Sequence, residues 1–110
     1  RRLGEPAAAP AWILELGPRR LVPPGGGAIS LSQQDTTVLQ VLMAEPERIV
    51  SRQQIVQSLG EDFLDYDQRR LDTQIRRLRR KTEQATGLSL PINTARNAGY
   101  RFFANAAVRP

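Results

Sequence analysis

The sequence predicts an α+β domain in which a small N-terminal antiparallel β-sheet precedes three helices and a C-terminal β-hairpin. Short apolar stretches separated by Gly and Pro fill the first third of the chain, and three segments with helical periodicity follow. A turn-forming Asn-Ala-Gly sequence then lies between two short strand patterns. Residues 1–10 are rich in Ala and Pro and lack periodicity, so we expect a linker or arm there and one domain over residues 11–110.

Three short strands are predicted before the first helix. Apolar residues alternate over residues 12–16, and a Gly-Pro turn separates this segment from a second strand at residues 19–22. Residues 23–27, PPGGG, interrupt regular structure more strongly than any other segment, and residues 28–31 form the third strand.

The first two helices are predicted from their capping residues. Ser32 can cap the first helix, which must end before Pro46 because the residue preceding a proline is disfavoured in helical conformation. Ser51 begins the second helix in a capping box with Gln54, and Gly60 ends it.

The third predicted helix carries the positive charge of the chain. At 100° per residue, one narrow apolar stripe contains Leu71, Ile75, Leu78, Thr82 and Ala85. The opposite side contains Arg69, Thr73, Arg76, Arg77 and Arg80. Over residues 66–81, six Arg and one Lys stand against two Asp, which leaves +5, the formal net charge of the whole chain. Such a localised basic face is what a polyanion-binding surface requires.

Few carboxylates can neutralise these arginines within the helix. One helical turn separates Asp72 from Arg76 and Arg79 from Glu83, so we expect two ion pairs. Three arginines are expected to stay unmatched: Arg69, Arg77 and Arg80. Because unmatched like charges repel, this pattern favours an external anion over a merely solvated face. Duplex DNA fits better than RNA, since the B-DNA major groove admits a helix and the deep groove of A-form RNA does not.

The sequence also yields candidates for individual DNA contacts. Contacts to base edges or adjacent phosphates are expected from Arg69, Thr73, Arg76 and Arg77, and phosphate contacts from Arg70, Arg80, Thr94, Tyr100, Ser51 and Arg52. Three alternatives stay open: a plain helix cap for Ser51, a core position for Tyr100 and a structural role for Arg79.

Several classes of function are disfavoured by composition. The chain contains no Cys and no His, which excludes disulfides, thiolate metal sites and Ser-His or Cys-His nucleophile pairs. The acidic segment 61–67 does not match a calcium-loop pattern. We therefore expect no enzyme, no cofactor and no metal. No apolar run approaches the roughly 20 residues that span a bilayer, so we expect no membrane segment and a cytoplasmic protein.

Two short helices, a longer basic helix and a hairpin form the order of a winged helix-turn-helix. At this level the sequence resembles the winged-helix effector domain of OmpR/PhoB-type bacterial response regulators. The matching segments are LSQQDTTVL (31–39), EPERIVSRQQIV (45–56), RRLDTQIRRLRRK (69–81) and INTARNAGYRF (92–102). The resemblance covers residues 12–103. The family usually has an aromatic residue in place of Thr36 and often glycine in place of Asn97, although Asn tolerates the left-handed backbone of such a turn.

The resemblance implies a four-stranded N-terminal sheet, a three-helix core and a hairpin wing. It also implies sequence-specific binding to promoter direct repeats as a dimer on DNA, with Arg96 of the wing in a minor groove rather than merely exposed. An RNA polymerase surface is implied for the loop residues Glu61, Asp62, Phe63, Leu64 and Asp65, although Phe63 and Leu64 could instead cover the core. Phosphorylation would occur on a receiver domain, which these 110 residues do not contain. The alternative function is a protein-interaction module whose basic face docks an acidic partner.

Overall fold

The computed structural model describes residues 11–110, so the linker predicted for residues 1–10 lies outside the described residues. Over the described range, the chain forms three α-helices and seven β-strands in the predicted α+β arrangement. The strands are β1 Trp12–Glu15, β2 Arg20–Val22, β3 Ile29–Ser30, β4 Ile49–Val50, β5 Ile92–Ala95, β6 Gly99–Phe102 and β7 Ala106–Arg109. The helices are α1 Gln33–Met43, α2 Arg52–Ser58 and α3 Gln68–Thr86, with a 3₁₀ helix at Phe63–Asp65 before α3.

The N-terminal strands form a four-stranded sheet whose fourth strand comes from the other end of the chain. β1 pairs antiparallel with β2, and β2 pairs antiparallel with β3, which places Leu14 opposite Leu21. β7 pairs parallel with β1 and places Val108 beside Leu14. The sheet thus has the four expected strands, but the fourth comes from the C-terminal end of the chain and pairs parallel, whereas the sheet was predicted to be antiparallel. The segment of β7 is short and rich in Ala, a residue depleted in strands, and its partner lies near the opposite terminus.

Helices α1 and α2 begin at their predicted capping residues, and each ends before the residue predicted to stop it. The Ser32 hydroxyl oxygen accepts a hydrogen bond from the Asp35 amide at 3.0 Å, and the Asp35 carboxylate accepts one from the Ser32 amide at 3.2 Å. Ser51 and Gln54 form the same reciprocal pair at the start of α2. Gly87 ends α3 in the left-handed conformation, with a φ of 74°.

The core lies between the N-terminal sheet and the three helices. α3 contributes Leu71, Ile75, Leu78 and Thr82 to it, whereas Ala85 is exposed, so the predicted apolar stripe ends one turn early. The burial of this stripe fixes the rotation of α3 about its axis. The basic side of the helix consequently faces solvent.

The C-terminal hairpin, which we call the wing, comprises β5, β6 and the turn between them. Its strands pair antiparallel with Thr94 opposite Tyr100, and β4 joins the other edge of β6 with Val50 opposite Tyr100. β4 was not predicted, because two residues are too few to show an alternating pattern. The turn contains Asn97 with a φ of 61°, the left-handed conformation expected for Asn at this position.

Candidate nucleic-acid interface

The solvent-facing side of α3 carries a row of exposed arginines. Arg69, Arg76, Arg77 and Arg80 are all exposed, and Thr73 between them is half-buried. Arg69 and Arg80 are eleven residues apart, so the row extends for about 17 Å along α3. Within the described part of the chain, neither a hydrogen bond nor an ion pair engages the guanidinium of Arg76, Arg77 or Arg80. These three groups are available to an external anion.

The two arginines in the first turn of α3 have acidic partners. Arg69 was expected to be unmatched, but its Nη2 lies 3.2 Å from Oδ2 of Asp67. Arg70 lies 3.8 Å from Glu61 and places its guanidinium 4.6 Å from the ring centroid of Tyr66. The Arg69 side chain is nonetheless 90% exposed. Ion pairs at exposed sites are typically worth about 0–1 kcal/mol, so a phosphate can compete for these guanidinium groups.

An open groove of about 980 Å³ separates the start of α1 from the flank of α3. Five cationic side chains line it: Arg69, Arg70, Arg77, Arg80 and Lys81. On the α1 side, the Asp35 carboxylate accepts hydrogen bonds from Gln74 at 3.2 Å and from Lys81 at 3.4 Å. The groove therefore continues the positive surface of α3 toward α1, and Asp35 holds two of its side chains in place.

Sequence reasoning did not include Gln74 or Lys81 among the site residues. A local signal for both exists, because polar side chains spaced three and four residues apart share one flank of a helix. Here these are Arg70, Gln74, Arg77 and Lys81. What the sequence could not indicate is that the start of α1 packs beside this flank.

Asp72 forms its contacts outside its own helix, which corrects the predicted pair with Arg76. Nη1 of Arg52, the first residue of α2, donates to Oδ1 of Asp72 at 2.6 Å. The hydroxyl of Tyr100, in strand β6 of the wing, donates to the same oxygen. The Arg52 guanidinium also lies 5.0 Å from the ring centroid of Tyr100. We call Arg52, Asp72 and Tyr100 the α2–α3–wing cluster.

The cluster contains two of the residues predicted to contact phosphate, Arg52 and Tyr100. Tyr100 is only 2% exposed, so its ring belongs to the core and its hydroxyl is engaged by Asp72. Arg52 is half-buried, and in the free protein its guanidinium is engaged by the same carboxylate rather than exposed to a phosphate. Ser51 acts as the cap of α2, because its hydroxyl oxygen accepts from the Gln54 amide at 3.1 Å.

The ionisation of Asp72 reflects its partners. Partial burial raises the pKa of the Asp72 carboxyl group, but hydrogen bonds from Tyr100 and Arg52 and the charges of Arg52 and Arg76 outweigh it and lower the pKa below 3.8. Burial, followed by the hydrogen bond to Asp72, raises the pKa of the Tyr100 hydroxyl. Asp72 is therefore ionised and Tyr100 protonated throughout the physiological range.

A carboxylate titration tests this arrangement. Because the pKa of Asp72 is lower in the folded than in the unfolded state, the contribution of the cluster to stability is present above about pH 4 and is lost as the pH falls through the folded-state pKa. We expect an NMR titration of the Asp72 carboxyl carbon to give a midpoint below 3.8, and a higher midpoint in Arg52→Gln. An unchanged midpoint in that variant would show that Arg52 does not act on Asp72.

Arg79 has a structural contact rather than the predicted pair with Glu83. Its Nη2 donates to the backbone carbonyl oxygen of Ile92, at the start of β5, at 2.6 Å. The guanidinium thus attaches α3 to the base of the wing, which decides the open alternative for Arg79 in favour of structure. A helical spacing rule cannot identify such a partner, because the carbonyl is brought there by the tertiary fold.

The tip of the wing is polar and basic. Thr94 and Arg96 are both exposed, and the turn closes with a hydrogen bond from the Ala98 amide to the Ala95 carbonyl oxygen at 2.9 Å. This turn presents Arg96 to solvent beyond the end of the paired strands. Arg96 is therefore accessible, as both interpretations of the sequence require.

The two apolar side chains of the acidic loop before α3 differ in their exposure. Phe63 is half-buried and packs against the core, whereas Leu64 is 89% exposed. Asp62 caps the 3₁₀ helix by accepting from the Leu64 amide at 3.0 Å.

Over residues 11–110 the carboxylates form no cluster suited to a metal ion. No helix in the same range combines the length and apolar character needed to cross a bilayer.

Comparisons with known proteins agree with this architecture. Residues 26–102 match the family model described as "Transcriptional regulatory protein, C terminal". The regulatory protein VirG of Agrobacterium tumefaciens is 38% identical over 98 residues, which cover 88% of this chain and 36% of VirG. The transcriptional regulatory protein CreB of Escherichia coli is 34% identical over 98 residues, covering 89% of this chain and 38% of CreB. The chain thus spans less than half the length of these relatives.

Solved structures show the same fold. The DNA-binding domain of CpxR from E. coli matches with a TM-score of 0.71 and 26% identity, covering 93% of this chain and 100% of that domain. The DNA-binding domain of RstA from Klebsiella pneumoniae, solved in complex with the RstA box, matches with a TM-score of 0.63 and 30% identity, covering 77% and 83%. Together with the basic third helix and the hairpin wing, these matches show that the chain belongs to the C-terminal winged-helix effector domains of OmpR/PhoB-type response regulators.

Proposed function

We propose that this chain binds duplex DNA sequence-specifically as the transcriptional output domain of a bacterial two-component response regulator. The observation that carries the proposal is the row formed by Arg76, Arg77 and Arg80, whose guanidinium groups are exposed and form no ion pair or hydrogen bond within the described residues. The likeness to the RstA domain, which was solved with its DNA box, supports the same ligand.

The geometry of α3 suits the major groove. An α-helix with side chains is about 10–12 Å across, and the B-DNA major groove is about 12 Å wide. In this arrangement Arg69, Thr73, Arg76 and Arg77 face base edges or the phosphates beside them. An Arg that donates two hydrogen bonds to guanine O6 and N7 contributes about 1–3 kcal/mol of discrimination.

Phosphate contacts and the wing supply the rest of the interface. Arg70, Arg80 and Lys81 line the groove beside α3 and face a phosphate strand when α3 lies in the major groove. Thr94 contacts a phosphate from the wing, and Arg96 enters the adjacent minor groove, whose negative potential attracts Arg. Arg52 and Tyr100 act mainly by supporting this surface, since both are engaged by Asp72.

The regulatory context extends beyond this chain. The chain spans between 31% and 44% of the length of the curated relatives compared. We propose that in a complete regulator of this kind a receiver domain is phosphorylated, and that two effector domains bind promoter direct repeats as a dimer in the cytoplasm. Leu64, which is 89% exposed, and the acidic residues around it form the proposed contact for RNA polymerase, as the likeness to the family implies.

Selection from a random pool of duplexes tests the proposed function. We expect wild-type protein to enrich one repeated motif and to prefer it over a scrambled duplex by about 10³-fold or more at physiological salt. Binding should also weaken steeply as salt is raised, because phosphate neutralisation releases counterions. If no motif is enriched and an acidic protein competes equally well with every duplex, the chain is a protein-interaction module instead.

A further inference from the structure

The α2–α3–wing cluster joins the three elements that carry the proposed DNA-binding surface. Arg52 begins α2, Asp72 lies in the second turn of α3, and Tyr100 belongs to β6 of the wing. Both Arg52 and Tyr100 donate to the same oxygen, Oδ1 of Asp72. A single carboxylate is therefore the point at which the two helices and the hairpin meet.

We infer that Asp72 is a positioning residue for DNA recognition, which holds the wing and α2 against α3 so that α3 and the wing can engage neighbouring grooves of one duplex. This inference rests on the proposed function. Asp72 itself does not read a base in this account. It acts through Tyr100 and Arg52, whose orientations it fixes by hydrogen bonds.

The wing is attached to α3 at two separated points. One is the hydrogen bond from the Tyr100 hydroxyl to Asp72, and the other is the bond of 2.6 Å from Arg79 to the Ile92 carbonyl oxygen. Asp72 and Arg79 are seven residues apart on α3, or about 10 Å along its axis. The wing also packs on the core through its buried residues Ile92, Tyr100 and Phe102. The two polar attachments act in addition to this packing, and at this separation they fix the angle between the wing and α3 more closely than one attachment can.

Asp72 can be altered without removing the core side chain beside it. The ring of Tyr100 is 2% exposed and remains packed whether or not its hydroxyl has a partner. Asp72 itself is half-buried and contributes no apolar surface to the core. Conservative changes at these two positions therefore loosen the angle of the wing while the domain stays folded.

The positioning effect of Asp72 on DNA binding can be distinguished from the repulsion between its charge and DNA phosphates. A carboxylate on a DNA-facing surface repels phosphates of every sequence, so its removal by itself raises the affinity for any duplex. Loss of positioning acts in the opposite direction, and only on a duplex that both α3 and the wing can contact. The two effects consequently move nonspecific and specific binding in opposite directions.

Two conservative variants of this 110-residue chain test the inference: Asp72→Asn and Tyr100→Phe. The probes are the duplex enriched by wild-type protein from the random pool and a scrambled duplex of the same length and composition. Asn at position 72 keeps an acceptor oxygen but loses the charge that strengthens the bonds from Tyr100 and Arg52. In Asp72→Asn we therefore expect the affinity for the scrambled duplex to be unchanged or higher, and the affinity for the enriched duplex to fall about tenfold. Tyr100→Phe changes no charge, so the scrambled duplex should bind as in wild type and the enriched duplex more weakly.

Asp67→Asn is the matched control. Asp67 is also a carboxylate beside an arginine of α3, and Asn is as good a helix cap, but Asp67 has no bond to the wing in the described residues. Its replacement should raise the affinities for both duplexes by the same factor. Thermal melts of all variants establish that each is folded.

Footprints at saturating protein distinguish positioning from a general loss of structure. Wild-type protein should protect guanine N7 in the major groove from methylation and the adjacent minor groove from hydroxyl radicals. Asp72→Asn and Tyr100→Phe should keep the first protection and lose the second. The inference is wrong if both variants retain the wild-type preference between the duplexes, or if minor-groove protection persists. If wild-type protein enriches no motif, the proposed function itself fails and the inference fails with it.

Discussion

Replacement of Arg77 by Ala is expected to lower the affinity for the enriched duplex by about 5- to 150-fold, the range of one guanine contact made by two hydrogen bonds. The Arg77 guanidinium is exposed and has no ion-pair partner among the described residues, so its loss should leave the thermal midpoint nearly unchanged. Arg76→Ala is expected to act similarly. Gel-shift titration together with thermal melting measures both quantities.

Arg20→Ala provides the matched control for this substitution. Arg20 is also exposed, but it lies on β2 of the N-terminal sheet and pairs with Glu15 at 2.8 Å. Its loss should change DNA affinity little. The face assigned to DNA is wrong if Arg76→Ala and Arg77→Ala both bind the enriched duplex as tightly as wild type.

The second large effect is expected at Gly99, the first residue of β6. A Cβ atom there would lie 2.0 Å from the carbonyl oxygen of Val50, and the φ of 139° is one that other residues rarely adopt. Gly99→Ala must therefore separate β6 from β4 or distort the wing turn. We expect a loss of roughly 3 kcal/mol in the free energy of unfolding. For a domain of this size the thermal midpoint then falls by roughly 12–24 °C.

Gly60→Ala separates backbone strain from steric conflict. Gly60 has a φ of 80°, but no atom lies within 4 Å of the position that its Cβ would occupy. Its substitution should cost only about 1 kcal/mol, from the left-handed backbone alone. Urea unfolding measures the free energy of unfolding of both variants. If Gly60→Ala and Gly99→Ala are destabilised equally, the steric conflict between β6 and β4 does not explain the need for glycine at position 99.

The elements that could be predicted from the sequence are those specified by nearby residues. Ser32 with Asp35 and Ser51 with Gln54 specify two helix starts, since each cap needs only residues three positions apart. The spacing of Leu71, Ile75 and Leu78 specifies which side of α3 is buried, and hence which side carries the arginines. The basic face could be predicted for that reason.

The elements that could not be predicted depend on partners distant in sequence. β4 and β7 are strands because β6 and β1 lie beside them, and neither segment shows a periodic pattern of its own. The same holds for Asp72. A helical spacing rule offers Arg76 as its partner, whereas the fold brings Arg52 from 20 residues away. The role of Asp72 in joining three elements is therefore visible only in the structure.

Methylation protection of guanine N7 is the most direct test of the central claim, that the exposed arginines of α3 lie in a major groove. We predict that wild-type protein protects guanines within the enriched motif and that Arg77→Ala removes protection at one of them while the others remain protected. Binding of the enriched duplex with every guanine N7 as reactive as in free DNA would contradict the claim.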